Sequence, residues 1–172
     1  MTRRVLLALF VMALLAPTSA ATAAPQGALS ELSGAGGCAT PDGSSDAGPA
    51  TCLADPALDP VANQDSTAVA PDGRFVYVAD ESGRIVMYAR DVATGLLSIP
   101  AGTRCWDEIG DAGCANYRGT ISGDGDALAI SGDGRTVYAA GGGDATPGLL
   151  VFSRDPETGV LSQLAGTAGC LT

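Results

Sequence analysis

Residues 68–80 read AVAPDGRFVYVAD, and residues 128–141 read LAISGDGRTVYAAG. Both run as an apolar strand, an x-Asp-Gly-Arg turn and then x-Val-Tyr-x-Ala, with Asp72 and Asp133 61 residues apart. Working outward, residues 85–98 (IVMYARDVATGLLS) match residues 149–162 (LLVFSRDPETGVLS) at an offset of 64. The three extra residues fall between Gly141 and Gly148, where a loop absorbs an insertion most easily. A third, partial copy opens the series: residues 27–38 (GALSELSGAGGC) parallel residues 159–170 (GVLSQLAGTAGC), and residues 95–105 (GLLSIPAGTRC) are a middle copy one residue shorter. Self-similarity at a fixed period of this kind marks a repeat architecture.

Each full unit reads as four short strands, at 66–70, 75–79, 85–90 and 96–101, and again at 127–131, 136–140, 149–154 and 160–164. Phe75-Val76-Tyr77-Val78 and Leu149-Leu150-Val151-Phe152 are apolar on both faces, as a strand buried between stacked sheets should be. Asp72-Gly73 and Asp133-Gly134 supply hairpin turns, and Ser82-Gly83, Thr94-Gly95 and Thr158-Gly159 supply the others. After residue 23 no apolar i, i+3, i+4 pattern persists for three turns. The expected class is all-β.

Four-stranded units with an x-Pro-Asp-Gly-Arg-x-Val-Tyr-Val-Ala hairpin (residues 71–79 and 132–140) followed by Val-x-x-Arg-Asp-x-x-Thr-Gly-x-Leu (residues 86–97 and 151–161) resemble the lactonase-like, YVTN-type β-propeller family. The cysteine-bearing connectors resemble its secreted bacterial branch, with disulfide-pinned loops between blades. The resemblance implies a partial β-propeller: two four-stranded antiparallel blades plus an N-terminal strand over residues 28–32. A lone four-stranded sheet cannot bury both faces, so such blades stack around a channel. The family resembles rings of about seven blades. The outward faces of two blades are therefore expected to expose apolar surface. A truncated reading frame is the favoured account, and a piece that closes by self-association is the other.

The first 23 residues read as an address. Arg3 and Arg4 precede an eleven-residue apolar run, residues 5–15, which Pro17 breaks; small residues lead to an Ala21-Thr22-Ala23 cleavage site. Eleven helical residues rise only about 16 Å, roughly half a bilayer's hydrocarbon thickness, so the run reads as a removable leader for general secretion and not as an anchor. The expected organisation is a leader over 1–23, an N-terminal strand and pinned connector over 24–65, a first blade over 66–104, a second connector over 105–126, a second blade over 127–164, and the start of a further connector over 165–172. The protein is expected to be secreted.

Export gives the five cysteines their meaning, because disulfides persist outside the cytoplasm. Cys38/Cys52 and Cys105/Cys114 form two local pairs whose spacing does not suit zinc. Each closed loop contributes about 2–3 kcal/mol by the chain-entropy estimate. The repeat makes Cys38, Cys105 and Cys170 one position, with Cys52 and Cys114 its partner. Cys170 is left unpaired: a free thiol, an intermolecular bridge, or half of a pair with its partner elsewhere.

The chain holds 9 basic and 19 acidic residues, no His, and a formal charge of −10. All the cations are Arg. Such an acidic surface disfavours nucleic acid and anionic membrane as partners. The lack of His excludes His-ligated metals and Ser-His or Cys-His catalysis. Asp124 and Asp126 precede an inner strand and are candidates for Ca²⁺ or for an acid–base pair, against the simpler reading of solvated turn residues. Asp55, Asp59 and Asp65 in the first connector are further candidates for Ca²⁺, against the simpler reading of loop solubility. Trp106 and Tyr117 flank the Cys105–Cys114 loop with Asp107, Glu108 and Asp111; the aromatic pair either stacks on a sugar or anchors a partner, or Trp106 packs over its own disulfide. Asp72 and Asp133 recur with the fold and are expected to bond their own turns, Arg74 and Arg135 to cover the sheet edge, and Arg90-Asp91 and Arg154-Asp155 to form strand-end ion pairs. No catalytic residue and no obligatory cofactor is assigned. The expected function is binding or scaffolding, and the alternative is a lactone hydrolase-like or Ca²⁺-dependent propeller enzyme completed by self-association.

Overall fold

A computed structural model describes residues 29–45, 52–121, 127–142 and 148–171. The chain divides into Met1–Ser30 and Glu31–Thr172. Of the first unit only Leu29 and Ser30 are described, both exposed and without regular structure. In the second, the strands in chain order are β1 (Ala39–Thr40), β2 (Leu53–Ala54), β3 (Gln64–Val69), β4 (Phe75–Asp80), β5 (Ile85–Arg90), β6 (Leu97–Ser98), β7 (Cys105–Asp107), β8 (Ala115–Asn116), β9 (Ala127–Ile130), β10 (Thr136–Gly141), β11 (Gly148–Arg154), β12 (Leu161–Gln163) and β13 (Cys170–Leu171). Three short 3₁₀ turns interrupt them, and no α-helix occurs among the described residues. The protein is all-β.

Two antiparallel meanders form the blades. The first runs β3-β4-β5 with Val76 opposite both Val69 and Tyr88; the second runs β9-β10-β11 with Val137 opposite Ile130 and Phe152. Asp72 and Asp133 each accept the backbone N–H of the arginine two residues on, at 3.0 Å, and so hold the hairpins as the repeat predicts. Gly73 and Gly134 carry the positive φ, 73° and 70°, that these turns require.

The fourth strand of each blade differs from the continuous one expected at 96–101 and 160–164. It is split in two. β6 pairs with the end of β5 and β7 with its beginning; β12 and β13 divide β11 in the same way. Pro100 has no N–H to give a ladder, and Gly102 and Gly166 take left-handed φ of 85° and 62°, so neither segment continues straight.

The strand expected at 28–32 is a second correction. Leu29–Leu32 has no strand, Ala28 lies outside the described residues, and the N-terminal strand is instead β1. A strand needs a hydrogen-bonded neighbour, and among the described residues no strand pairs with residues 29–32.

The blades pack face to face. Phe75, Tyr77, Ala79, Ile85 and Met87 of the first meet Val137, Ala139, Leu150, Phe152 and Leu161 of the second in one apolar cluster. Alternation along β4 and β5 turns Val76, Val78, Val86 and Tyr88 to the opposite side. That outer face is not left bare as expected. Ala57 and Leu58 of the N-terminal connector cover it, leaving Val86 and Tyr88 only 1% exposed. The outer face of the second blade does remain open, and Tyr138 there is 39% exposed.

Candidate functional site

Polar residues that repeat with the fold do one job. Arg154, at the end of β11, is buried and donates from Nη1 to the Gly134 carbonyl (2.9 Å), from Nε to the Tyr77 hydroxyl (2.8 Å) and from Nη2 to Asp72 Oδ2 (3.1 Å). The Tyr77 hydroxyl in turn donates to the Gly159 carbonyl. The guanidinium also lies 5.2 Å over the Phe75 ring. Arg74 reaches across as well, to the Glu157 carbonyl at 3.2 Å and its carboxylate at 3.7 Å, rather than lying along its own sheet edge. This seam welds one blade to the next.

The expected strand-end pairs Arg90-Asp91 and Arg154-Asp155 do not form as salt bridges. Successive residues of a strand point to opposite faces. Arg90 turns to the Gly73 carbonyl at 3.0 Å, while Asp91 accepts from the N–H groups of Ala93 and Thr94. Asp155 caps its own turn likewise, through the N–H of Glu157.

The polar residues that break the repeat gather elsewhere. Arg84 stands where the second blade has Gly148, and Asp80 where it has Gly141. Arg84 lies beneath a recess of about 210 Å³ lined also by Asp59, Ser82, Asp107, Glu108, Ile109 and Asp111. Its Nη1 donates to the Ala57 carbonyl at 3.1 Å; its Nη2 lies 3.5 Å from Asp107 Oδ2 and 3.8 Å from Asp111 Oδ2. Asp107 is buried because its Oδ1 gathers the N–H groups of Ile109, Gly110 and Asp111. Asp80 Oδ1 accepts from the Ser82 and Arg84 N–H groups and sets the turn that aims Arg84. Sequence reasoning missed Arg84 and Asp80, and placed Asp107 only among the acidic residues of the pinned loop. The signal was their departure from an otherwise matching repeat.

Asp55 is a further correction. It is not a solvated loop carboxylate but wholly buried, accepting from Arg104 Nη1 at 2.8 Å and Nη2 at 2.6 Å and from the Ala57 N–H at 2.9 Å. Burial by itself would raise its pKa; the Arg104 fork outweighs that and holds it below the ordinary carboxylate value. Burial, followed by the neighbouring Asp55 carboxylate, pushes the Tyr88 phenol up. Asp59 borders the recess and accepts from the Val61 N–H, and Asp65 is exposed at the start of β3.

Trp106 and Tyr117 are not a surface pair. Both are buried in the inter-blade cluster, where the Trp106 indole N–H donates to the Leu161 carbonyl at 3.1 Å and the Tyr117 hydroxyl to the Gly83 carbonyl at 2.7 Å. Tyr117 meets Phe152 edge to face, with ring centroids 6.2 Å apart. Asp124 and Asp126 lie outside the described residues. Among the described residues no three side chains of His, Cys, Asp or Glu converge as a metal site, and no helix is long and apolar enough to cross a membrane. Cys38 is bonded to Cys52 and Cys105 to Cys114, while Cys170 is a free, half-buried thiol.

Chemically, the recess offers one arginine held by carboxylates and, beside it, the Ser82 hydroxyl, which donates to Asp80 Oδ1. No protein-family model and no curated protein sequence matches the chain. Among solved structures, the periplasmic gluconolactonase of Pseudomonas aeruginosa aligns with 63% of this chain and 27% of its own, at 23% identity and a TM-score of 0.44. A protein from Lactobacillus plantarum aligns over 58% of this chain and 40% of its own, at 15% identity and a TM-score of 0.29. The chain thus spans less than half the length of either structure, and its fold class rests on its own strand order.

Proposed function

We propose that this protein is an exported repeat scaffold that acts by binding and not by catalysis. The observation that carries this reading is the employment of two buried arginines, Arg84 and Arg154, and of the half-buried Arg104. Arg84, Arg104 and Arg154 are each engaged within the chain, with carboxylates or carbonyls that hold a connector or a neighbouring blade. A guanidinium spent in this way is not free to polarise a substrate. The two disulfides and the leader pattern of residues 1–23 agree with export.

The competing reading is a lactone hydrolase, the activity for which the Pseudomonas gluconolactonase is named. The test is hydrolysis of gluconolactone by the purified oxidised protein, with and without Ca²⁺, followed by acid release. The scaffold reading expects the rate of buffer alone. Saturable turnover that disappears in Arg84→Ala or Asp124→Ala would overturn it. N-terminal sequencing of the exported protein is expected to begin at Ala24; a retained Met1 would refute the leader.

A further inference from the structure

The contact between the two blades has a direction, and each of its two faces exists twice. The first blade contributes Phe75, Tyr77, Ala79 and Met87; the second contributes Val137, Ala139, Leu150 and Phe152. By the repeat, the outer face of the second blade carries Thr136, Tyr138, Ala140 and Val151 in the places of the former set. The outer face of the first blade carries Val76, Val78, Val86 and Tyr88 in the places of the latter. Tyr77 is fully buried, whereas its counterpart Tyr138 is open to solvent.

The polar seam is duplicated too. Asp133 Oδ1 holds its own turn as Asp72 Oδ1 does, but no arginine meets its carboxylate among the described residues. Arg90 donates Nη1 to the Gly73 carbonyl just as Arg154 does to Gly134, and it lacks the carboxylate and phenol that Arg154 enjoys. One outer face therefore offers a carboxylate and a phenol. The other offers a guanidinium and the Gly95 carbonyl, in the place of Gly159. The two complement each other, and a second copy of the chain would bring them together.

Part of the first blade's outer face is held by the N-terminal segment, and here the cysteines matter. Residues 27–38 repeat residues 159–170, and the conformations agree: a Cβ on Gly37 would strike the Leu32 carbonyl, and one on Gly169 the Leu164 carbonyl. Cys105 and Cys170 stand at the same place, opposite Val86 and Leu150. Cys38–Cys52 precedes the parallel pair β1-β2 as Cys105–Cys114 precedes β7-β8. A docking copy would thus bring its own residues 163–170 to the place that residues 31–38 hold. Once that segment yields, Cys170 of the incoming copy faces Cys52.

We propose that copies of this chain assemble head to tail, the outer face of one second blade on the outer face of the next first blade, with Cys170 of the one exchanging into the Cys38–Cys52 disulfide of the next. The Cys170 thiolate attacks Cys52 Sγ, the Cys170–Cys52 bond forms, and Cys38 leaves as a thiolate that takes up the proton Cys170 gave up. No oxidant or reductant is consumed. Such a heterologous contact closes a ring or extends a fibre. Three or four copies would supply about six to eight blades, within the range of closed propellers.

The experiment is disulfide mapping and light scattering of the purified oxidised protein over a wide concentration series. The expected result is a Cys52–Cys170 peptide pair, Cys38 as the alkylated thiol, and a mass that is a multiple of the chain. Cys170→Ser should remove the covalent link. Tyr138→Arg keeps the thiol but blocks the face, and should weaken association roughly tenfold or more. Asp133→Arg and Arg90→Asp should each fail to assemble alone and assemble when mixed, since the mixture restores both charge pairs. A monomer with Cys170 alkylated at every concentration would overturn the proposal. So would a Cys170–Cys170 bridge, or Tyr138→Arg linking as well as the parent chain. None of these outcomes depends on the lactone assay.

Discussion

Arg154 Nε donates to the Tyr77 hydroxyl at 2.8 Å across the boundary between the two blades, although the residues lie 77 positions apart. That hydroxyl passes its own proton to the Gly159 carbonyl, so one phenol satisfies both a buried guanidinium and a buried carbonyl. Neither partner can reach water if the phenol is lost, and leaving buried groups unsatisfied costs more than a bond between them returns.

Tyr77→Phe is accordingly expected to destabilise the protein by about 1–3 kcal/mol. Urea unfolding followed by circular dichroism checks this. A change within the measurement error would mean that Arg154 and Gly159 find other partners.

Alkaline pH should act on the same phenol. Burial, partly offset by Arg154, pushes Tyr77 from 10.0 up to about 12, and Tyr88 is raised as well. The folded state therefore keeps protons that the unfolded state has already lost. The stability these phenols contribute is expected to be level below pH 10 and to fall as pH rises from there toward 12. An ultraviolet titration should find these phenols ionising together with unfolding; ionisation in the fully folded protein near pH 10 would count against their burial.

Asp55 and Arg104 tie the first connector to the first blade, with a wholly buried carboxylate. Asp55→Ala leaves the half-buried guanidinium without its partner and should cost about 1–3 kcal/mol. Because the folded-state pKa lies below 3.8, the stability this pair contributes is present above that value and lost as pH falls through the folded one. Thermal melts of both proteins should draw together as pH falls below 3.8. A constant gap would assign the loss to packing.

Trp106 is the only tryptophan in the chain and its indole bonds the second blade. Its emission should be blue-shifted in the folded protein and should move to the red in a single step with blade separation. Ready quenching by iodide in the native state would contradict the burial.

The repeat, the hairpins and the strand alternation are legible in the chain because they are local. Asp72-Gly73 and Asp133-Gly134 close turns through bonds two residues long, and β4 and β10 lie where the Val-Tyr motif puts them. The cysteine pairing is local in the same sense, each partner being the nearest cysteine in sequence.

What tertiary packing alone decided is which repeated or unrepeated polar group meets which. Asp55 is wholly buried because an arginine 49 residues away forks onto it, and Trp106 is buried because a carbonyl 55 residues away accepts its proton. Arg154 chooses Asp72 over its neighbour Asp155 because adjacent strand residues face opposite ways. The N-terminal segment caps the first blade because Ala57 and Leu58 can pack on Val86 and Tyr88, while Tyr138 on the second blade stays exposed. Composition and spacing determine what each strand is. The stacking of sheets determines what its faces touch, since burial depends on distance in space and the sequence records only distance along the chain.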